Sequence, residues 1–451
     1  MKYDLSQIQG WSEKIEIIAH RAGLDYYPQE FELVNYEDML SYEAYIGMPS
    51  RYPHWSFGKS YEKLKTLYQY NLTGLPYEMV INSDPCIAYL MKDNTLLLQI
   101  LTIAHVYGHN DFFKNNRLFT EETEAEYTLE MFKSHARTIK SFINDPSIGY
   151  EKVERILDAA HALKLQTPRV AGEKKRSQED LKKSLMEDYY QKASQRSILE
   201  PYREEMPPDI NKIPLQPEED LLLFIIKYGK LEDWENSILE IVRSETRYFI
   251  PQIETKVMNE GWASFWHYEI LKELDLPSAL YLEFIKRHNE VVRPITGQLN
   301  PYYLGFEMIK DLMRVHGKEK IFEVRACERD ESFLRRYLTQ ELCQKLNLFE
   351  YVKKENEYFV ENVPDDDGWK SIRNTLCKFV GMSGVPLIQA TDFSAKDGTL
   401  TLEHVFDGRE LEKTYAEQTL KYIADIWKRK VVLKTKINNT EQQILAITGD
   451  I

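Results

Sequence analysis

The sequence predicts a mainly α protein, α+β overall, with a helical core and a small C-terminal α+β domain. Three observations predict it. Apolar residues recur at helical spacing from Thr95 to about Phe113, and Asn259–His267 reads as successive turns of a second buried helix. One short run, Tyr77–Asn82, reads as a strand ahead of the first of these helices. From about Trp369 the texture changes to strand-like runs separated by turn residues.

Composition bounds the class. The 451 residues suffice for two to three domains, and with 43% hydrophobic and 29% charged residues the chain is globular rather than disordered. Its 58 basic against 72 acidic side chains give a net charge of -14, which repels a phosphate backbone, so nucleic acid is not an expected partner. Four cysteines, Cys86, Cys327, Cys343 and Cys377, stand far apart with no CxxC pair, which fits reduced thiols in a cytosol. Met1–Ser6 has no apolar signal region, and the apolar run Leu221–Ile226 ends at Lys227. No run approaches the roughly 18 apolar residues of a membrane helix. No membrane insertion is expected, and the cytoplasm is the expected compartment.

Residues 6–75 mix short helical patterns with aromatic-rich loops such as Arg51–Trp55. After the strand at Tyr77–Asn82, Ser83-Asp84-Pro85 forms a turn and Asn94 is the expected N-cap of the helix from Thr95. Helices are expected near Glu122–Phe142 and Tyr150–Leu165. Thr167–Glu218 is charged and proline-bearing, an exposed insertion with at most one helix. Helical sequence resumes at Leu221 and runs to about Glu355. In the tail, Val385–Phe393 and Thr399–Phe406 flank an Asp397-Gly398 turn, Glu410–Trp427 is helical, and Lys430–Lys436 with Ile444–Thr448 form a second hairpin around Asn438-Asn439. The expected domains are 1–166, an insertion 167–218, a helical part 219–368 sharing one core with the first, and 369–451.

Two histidines stand together in a spacing that on its own is a weak signal, since such pairs also arise by chance and cap or pack. His105 and His109 are four residues apart on the first buried helix, about 40° around its axis, so both imidazoles leave one face. That spacing lets two histidines clasp one divalent ion. On the second helix Glu260, Ser264 and His267 share a face in an otherwise aromatic setting, and buried polar groups require partners. Gly261 and Ala263 leave space beside Glu260 for another helix or an ion. Two histidines and a carboxylate make a three-ligand set with a position left for water. Glu260 and His267 stand about 10.5 Å apart along the axis, too far to share an ion easily. With Glu260 as third ligand, His267 faces the substrate as oxyanion stabiliser or proton donor. With His267 as ligand, Glu260 is the general base. The first arrangement is preferred.

A weaker cluster, Glu154, Asp158 and His161, shares a helix face, as do Glu124 and His135. Solvated charge explains them most simply, and a second metal position is the alternative. The basic runs Lys174–Arg176 and Lys428–Lys430 are short and read as solvated faces.

The strings Ile103–Asn116, Val257–His267 and Leu299–Gly305 resemble the signature of the stage V sporulation protein R (SpoVR) family, and the likeness runs from Gln9-Gly10-Trp11 to the tail. The resemblance implies a cytoplasmic protein of the mother cell, made during sporulation and required for spore cortex peptidoglycan. It also implies links to a PrkA-type serine kinase and a YhbH-type protein. More distantly, HxxxH followed by Asn259-Glu260-Gly261 is similar to the gluzincin metallopeptidases, which implies a gluzincin-like helical core with a short edge strand. It implies metal ligation by His105, His109 and Glu260. Val106 stands where those enzymes carry their general-base glutamate, so Asp111, Glu254 or His267 would have to take that role. The function expected is therefore a zinc-dependent, hydrolase-like protein acting on an amide or peptide bond of a peptide or peptidoglycan precursor. The alternatives are a non-catalytic partner or scaffold in a sporulation kinase pathway, and a non-haem iron enzyme.

Overall fold

In the computed structural model every residue from Leu97 to Phe113 is buried, so the helix Leu96–Asn115 has no solvent face. A helix buried on all sides has to be wrapped by other elements, and the packing unit that contains it is built around this one. The structure describes residues 3–69, 78–170, 172, 175–194, 207–295, 298–354 and 357–447.

This histidine-bearing helix is capped by Thr95, whose hydroxyl accepts from the Leu98 N–H at 3.2 Å and donates to Glu283 at 2.9 Å. The cap expected at Asn94 is thus one residue early; the Asn94 N–H closes the preceding turn on the Met91 carbonyl. At the other end Asn116 stops the helix, its side chain accepting from Leu118 N and donating to the carbonyls of Arg325 and Glu328.

The second buried helix, Lys256–Glu273, packs against the first at Gly108, where an added Cβ would lie 2.7 Å from the Cα of Ala263. On its other side Gly261 meets Gly305 of the helix Pro301–His316. The space that the small residues leave beside Glu260 is therefore filled by neighbouring helices. Thr255 provides no side-chain cap to the Glu260 helix. Asp330 does so from a distance, accepting from Val257 N at 2.8 Å and Met258 N at 2.9 Å. This satisfies two of the orphan donors at the helix start.

Three strands flank this core: β1 (Gln29–Val34), β2 (Glu78–Ile81) and β3 (Cys86–Met91), in the order β1-β3-β2. β3 pairs parallel with β1 and antiparallel with β2. The strand expected at Tyr77–Asn82 is β2, an edge strand; Tyr77 lies outside the described residues. β1 and β3 are additions to the expected fold. Gln29 pairs with Cys86 far along the chain, a non-local parallel pairing with no turn between the strands to announce it.

Before the sheet the chain forms helices Leu5–Arg21, Tyr36–Ala44 and Trp55–Gln69. The helix expected from Glu122 is broken: Arg117–Glu122 ends at extended Thr123, and Thr128–Asn144 begins after a short 3-10 turn. The run expected to stay helical to about Glu355 also stops early. After Gln340–Lys345, Asn347 takes a left-handed φ of 52°, and β4 (Glu350–Lys354) and β5 (Glu357–Asn362) form an antiparallel hairpin. Glu355 itself lies outside the described residues.

Packing divides the chain into two units whose limits differ from the expected domains. Met1–Ser141 and Arg247–Gly384 form one, and Phe142–Thr246 with Val385–Ile451 form the other. The expected first domain, 1–166, is split because Tyr150–Leu163 packs with the C-terminal helix Lys413–Trp427, as through the Arg155–Asp425 ion pair at 2.8 Å. In the insertion one helix is described, Gln178–Ser194, and residues 195–206 lie outside the described set. Its end is tied to the tail, where Glu218 and Ala390 exchange backbone hydrogen bonds of 2.9 and 2.8 Å.

The second unit holds a four-stranded sheet of β6 (Ile388–Phe393), β7 (Leu400–His404), β8 (Val431–Ile437) and β9 (Thr440–Ala446), in that order. Both expected hairpins are present, β6–β7 and β8–β9. Asn438 and Asn439 have φ of 51° and 57°, the pair of positive values that a tight two-residue hairpin turn requires. No helix among the described residues is long and apolar enough to cross a membrane.

Candidate metal centre

His105 and His109 leave one face of their helix with ring centroids 4.6 Å apart. Glu260 comes to them from the neighbouring helix, its Oε2 lying 3.7 Å from His105 Nε2 and 3.5 Å from His109 Nε2. A fourth group arrives from the sheet: Glu78 Oε1 of β2 lies 3.9 Å from His105 Nε2. Glu78, His105 and His109 each offer a ligand atom within 4.8 Å of the others.

The second ring nitrogens are held from behind. His109 Nδ1 lies 2.9 Å from Asn259 Oδ1, and His105 Nδ1 lies 3.0 Å from His267 Nδ1. His267 continues through Nε2 to His288 Nδ1 at 2.8 Å, on the helix Ser278–Val291. On Glu260 the other oxygen, Oε1, accepts from Lys256 Nζ at 2.5 Å. Tyr302, at the start of the helix that crosses Glu260, stacks 6.3 Å from the His105 ring.

Burial governs the electrostatics. It pushes His109 down to about 4, with His105 beside it adding to the effect, so the ring is neutral near pH 7. Burial also drives His267 far below its ordinary value, and takes His288 down to about 4. Burial would raise Glu260, but Lys256 and the two histidines outweigh it and hold the carboxyl well below the usual range. Burial raises Glu78, outweighing the pull of His105 and Lys256. The Glu260 charge, followed by burial, pushes the Tyr302 phenol well up.

These contacts test whether an ion fits. Asn259 Oδ1 accepts, so His109 carries its one proton on Nδ1 and turns the Nε2 lone pair toward Glu260 Oε2. A lone pair facing a carboxylate oxygen at 3.5 Å is repulsive, and a cation between them reverses the sign. Ligands about 2 Å from a tetrahedral zinc stand about 3.3 Å apart, close to the 3.5 and 3.7 Å between Glu260 and the two rings. The donor set fits a divalent metal.

The other candidate residues have different surroundings. His267 is fully buried with both nitrogens bonded to imidazoles, so it stands behind His105 instead of presenting a nitrogen to a substrate. Asp111 accepts from Asp25 N and Trp262 Nε1, both at 2.8 Å, and pairs with Arg325 at 3.0 Å. Burial pushes its carboxyl up to about 7 against the pull of Arg325. Glu254 pairs with Arg329 at 3.3 Å. Both are structural ties, which leaves Glu78 as the carboxylate standing at the histidines besides Glu260. Glu154, Asp158 and His161 belong to the second unit.

Sequence reasoning missed Glu78, Lys256, His288 and the role of Asn259. Lys256 lies four residues before Glu260, a helix-pair spacing that was open to reading. His288 sits among Lys286, Arg287 and Glu290 and reads as part of a solvated helix.

Residues 2–385 match the family model described as SpoVR like protein, and residues 386–438 match the SpoVR-like C-terminal domain. The seam between them falls where the chain passes from the first packing unit to the tail of the second. Among curated proteins, the uncharacterized protein YcgB of Escherichia coli (strain K12) is 33% identical over 472 residues, covering 96% of this chain and 92% of its own. No solved structure matches.

Proposed function

The chain belongs to the SpoVR family, a sporulation-related family, and from that premise we propose that it is a metal-dependent, hydrolase-like protein acting on an amide or peptide bond, connected with cortex peptidoglycan or its precursors. One observation carries the reading: the unprotonated Nε2 of His109 faces Glu260 across 3.5 Å, a buried arrangement that calls for a cation. His105, His109 and Glu260 would hold zinc, which when bound acidifies a water and polarises a carbonyl. Asn259 and His267 fix the ring orientations from behind. Lys256 engages one oxygen of Glu260 and leaves the other toward the rings. Glu78 supplies the carboxylate that Val106 does not, on the side of His105 facing β2. As an edge strand with no partner on its outer side among the described residues, β2 offers backbone groups to an extended peptide.

Glu78 also favours a second reading. Counted as a ligand, it makes a set of two histidines and two carboxylates, oxygen-rich in the manner of iron sites. Metal content by inductively coupled plasma mass spectrometry, on wild type beside His105→Ala, Glu260→Ala and Glu78→Gln, tests both. Near one zinc per chain, lost in the first two variants and kept in Glu78→Gln, supports the hydrolase-like centre. Iron that also depends on Glu78 supports the second. No stoichiometric metal after reconstitution sinks both and leaves a non-catalytic partner protein.

A further inference from the structure

His105, His267 and His288 form a line of three imidazoles joined nitrogen to nitrogen, at 3.0 Å and 2.8 Å. His267 is fully buried and His288 is 3% exposed. His267 and His288 are buried against other imidazoles and stay neutral, since unpaired buried cations are costly, and an imidazole that binds a metal ion is neutral too, so each of the three rings carries one proton on one of its two nitrogens. Each nitrogen–nitrogen contact requires one donor and one acceptor. The line then has two self-consistent states. In one, His105 Nδ1–H donates to His267 Nδ1 and His267 Nε2–H donates to His288 Nδ1. His105 Nε2 is then a bare lone pair. In the other every proton sits on the opposite nitrogen, and Nε2 of His105 carries a hydrogen where an ion would bind. The choice at one end of the line fixes the choice at the other.

We infer that His288 is a positioning residue for the metal centre: by accepting from His267 it selects the tautomer of His105 that leaves Nε2 free for a metal ion. The inference rests on the metal reading above and extends it to a helix, Ser278–Val291, that supplies no ligand. The His288 ring is itself held in place, with Tyr268 and Phe306 ring centroids at 4.6 and 4.9 Å. Switching between the two states moves one proton across each contact. A proton leaves His105 Nε2 and another arrives at His288 Nε2, so the count on the three rings is unchanged.

The test compares the zinc dissociation constant of wild type, His288→Leu and His288→Asp, by competition with a chromophoric chelator on the full chain. Leucine removes the acceptor, whereas aspartate accepts and cannot donate. The expected result is zinc binding weakened about 10- to 100-fold in His288→Leu and within about 3-fold of wild type in His288→Asp, since an acceptor alone meets the requirement. Long-range nitrogen-15 NMR of zinc-loaded wild type adds a readout that does not depend on either variant folding, and His267 should be protonated at Nε2. Zinc bound equally by all three proteins, or a zinc-loaded His267 protonated at Nδ1, overturns this inference alone. Wild type that binds no zinc overturns it together with the metal reading.

Discussion

Gly305 and Gly261 meet backbone to backbone: a Cβ on Gly305 would stand 2.7 Å from the Cα of Gly261 and closer still to the Val257 carbonyl oxygen. This contact sets the distance between the helix carrying Glu260 and the helix carrying Tyr302. Gly305→Ala should therefore destabilise the protein by roughly 1–3 kcal/mol, the range for overpacking a tight core, and weaken metal retention. Gly10→Ala is the control. That glycine lies within the helix Leu5–Arg21 with nothing within 4 Å of the added carbon, so the change should be neutral or stabilising by about 0.5–1 kcal/mol. Urea denaturation of both variants beside wild type checks the contrast, and equal midpoints would refute it.

Asp330 should matter to a helix that it does not belong to. Asp330→Ala leaves the Val257 and Met258 N–H groups buried without their acceptor, at a cost of about 1–3 kcal/mol. Asp330→Asn retains one acceptor and should lose less. A smaller loss for alanine than for asparagine in denaturation would show that the cap is not what holds the helix start.

Lys256 and a metal ion compete for the same carboxylate. With Lys256→Met the buried Glu260 loses its cation, but the lysine side chain is 59% exposed and screened by solvent, so the metal-free variant should be less stable by roughly 1 kcal/mol. Added zinc should then raise its melting temperature more than it raises that of wild type. Equal zinc-induced shifts would mean that Lys256 and the ion do not meet at Glu260.

His288 also makes a signed prediction about acid. Burial lowers its folded value to about 4 from an ordinary 6.5, so between those values the unfolded chain binds the proton and the folded chain does not. The stability present above pH 6.5 is lost as pH falls toward 4. The comparison is with His288→Leu, which has no proton to take up at this position. Metal-free wild type should lose up to about 3 kcal/mol more than the variant between pH 7 and pH 4. Parallel pH profiles from denaturant titrations would contradict the burial of a neutral ring.

What could be read in advance was local in the chain. His105 and His109 share a face by helical spacing alone, and Glu260 stands out as a charge among aromatic residues. The β8–β9 turn was legible because Asn438 and Asn439 both tolerate positive φ. Glu78 was not, since a glutamate at the start of a short strand looks solvated until β2 is placed beside the histidine helix. His267 carried a misleading signal. The sequence could not say that His288 lay ready to take its second nitrogen. The β4–β5 hairpin was hidden in the same way, by the charged residues that bound its short apolar runs Tyr351-Val352 and Phe359-Val360.

The first packing unit is discontinuous, interrupted by Phe142–Thr246, and that has a consequence for how the protein is made. His109 leaves the ribosome 150 residues ahead of Asn259, a delay of roughly 8 to 30 s at bacterial elongation rates of about 5–20 residues per second. Throughout it the helix Leu96–Asn115, buried from Leu97 to Phe113 in the folded protein, lacks the helix that will cover it. A nascent chain of this protein is thus at its most adhesive after its histidines have appeared and before Glu260 has, and truncation anywhere in that interval yields a polypeptide suited to chaperone capture.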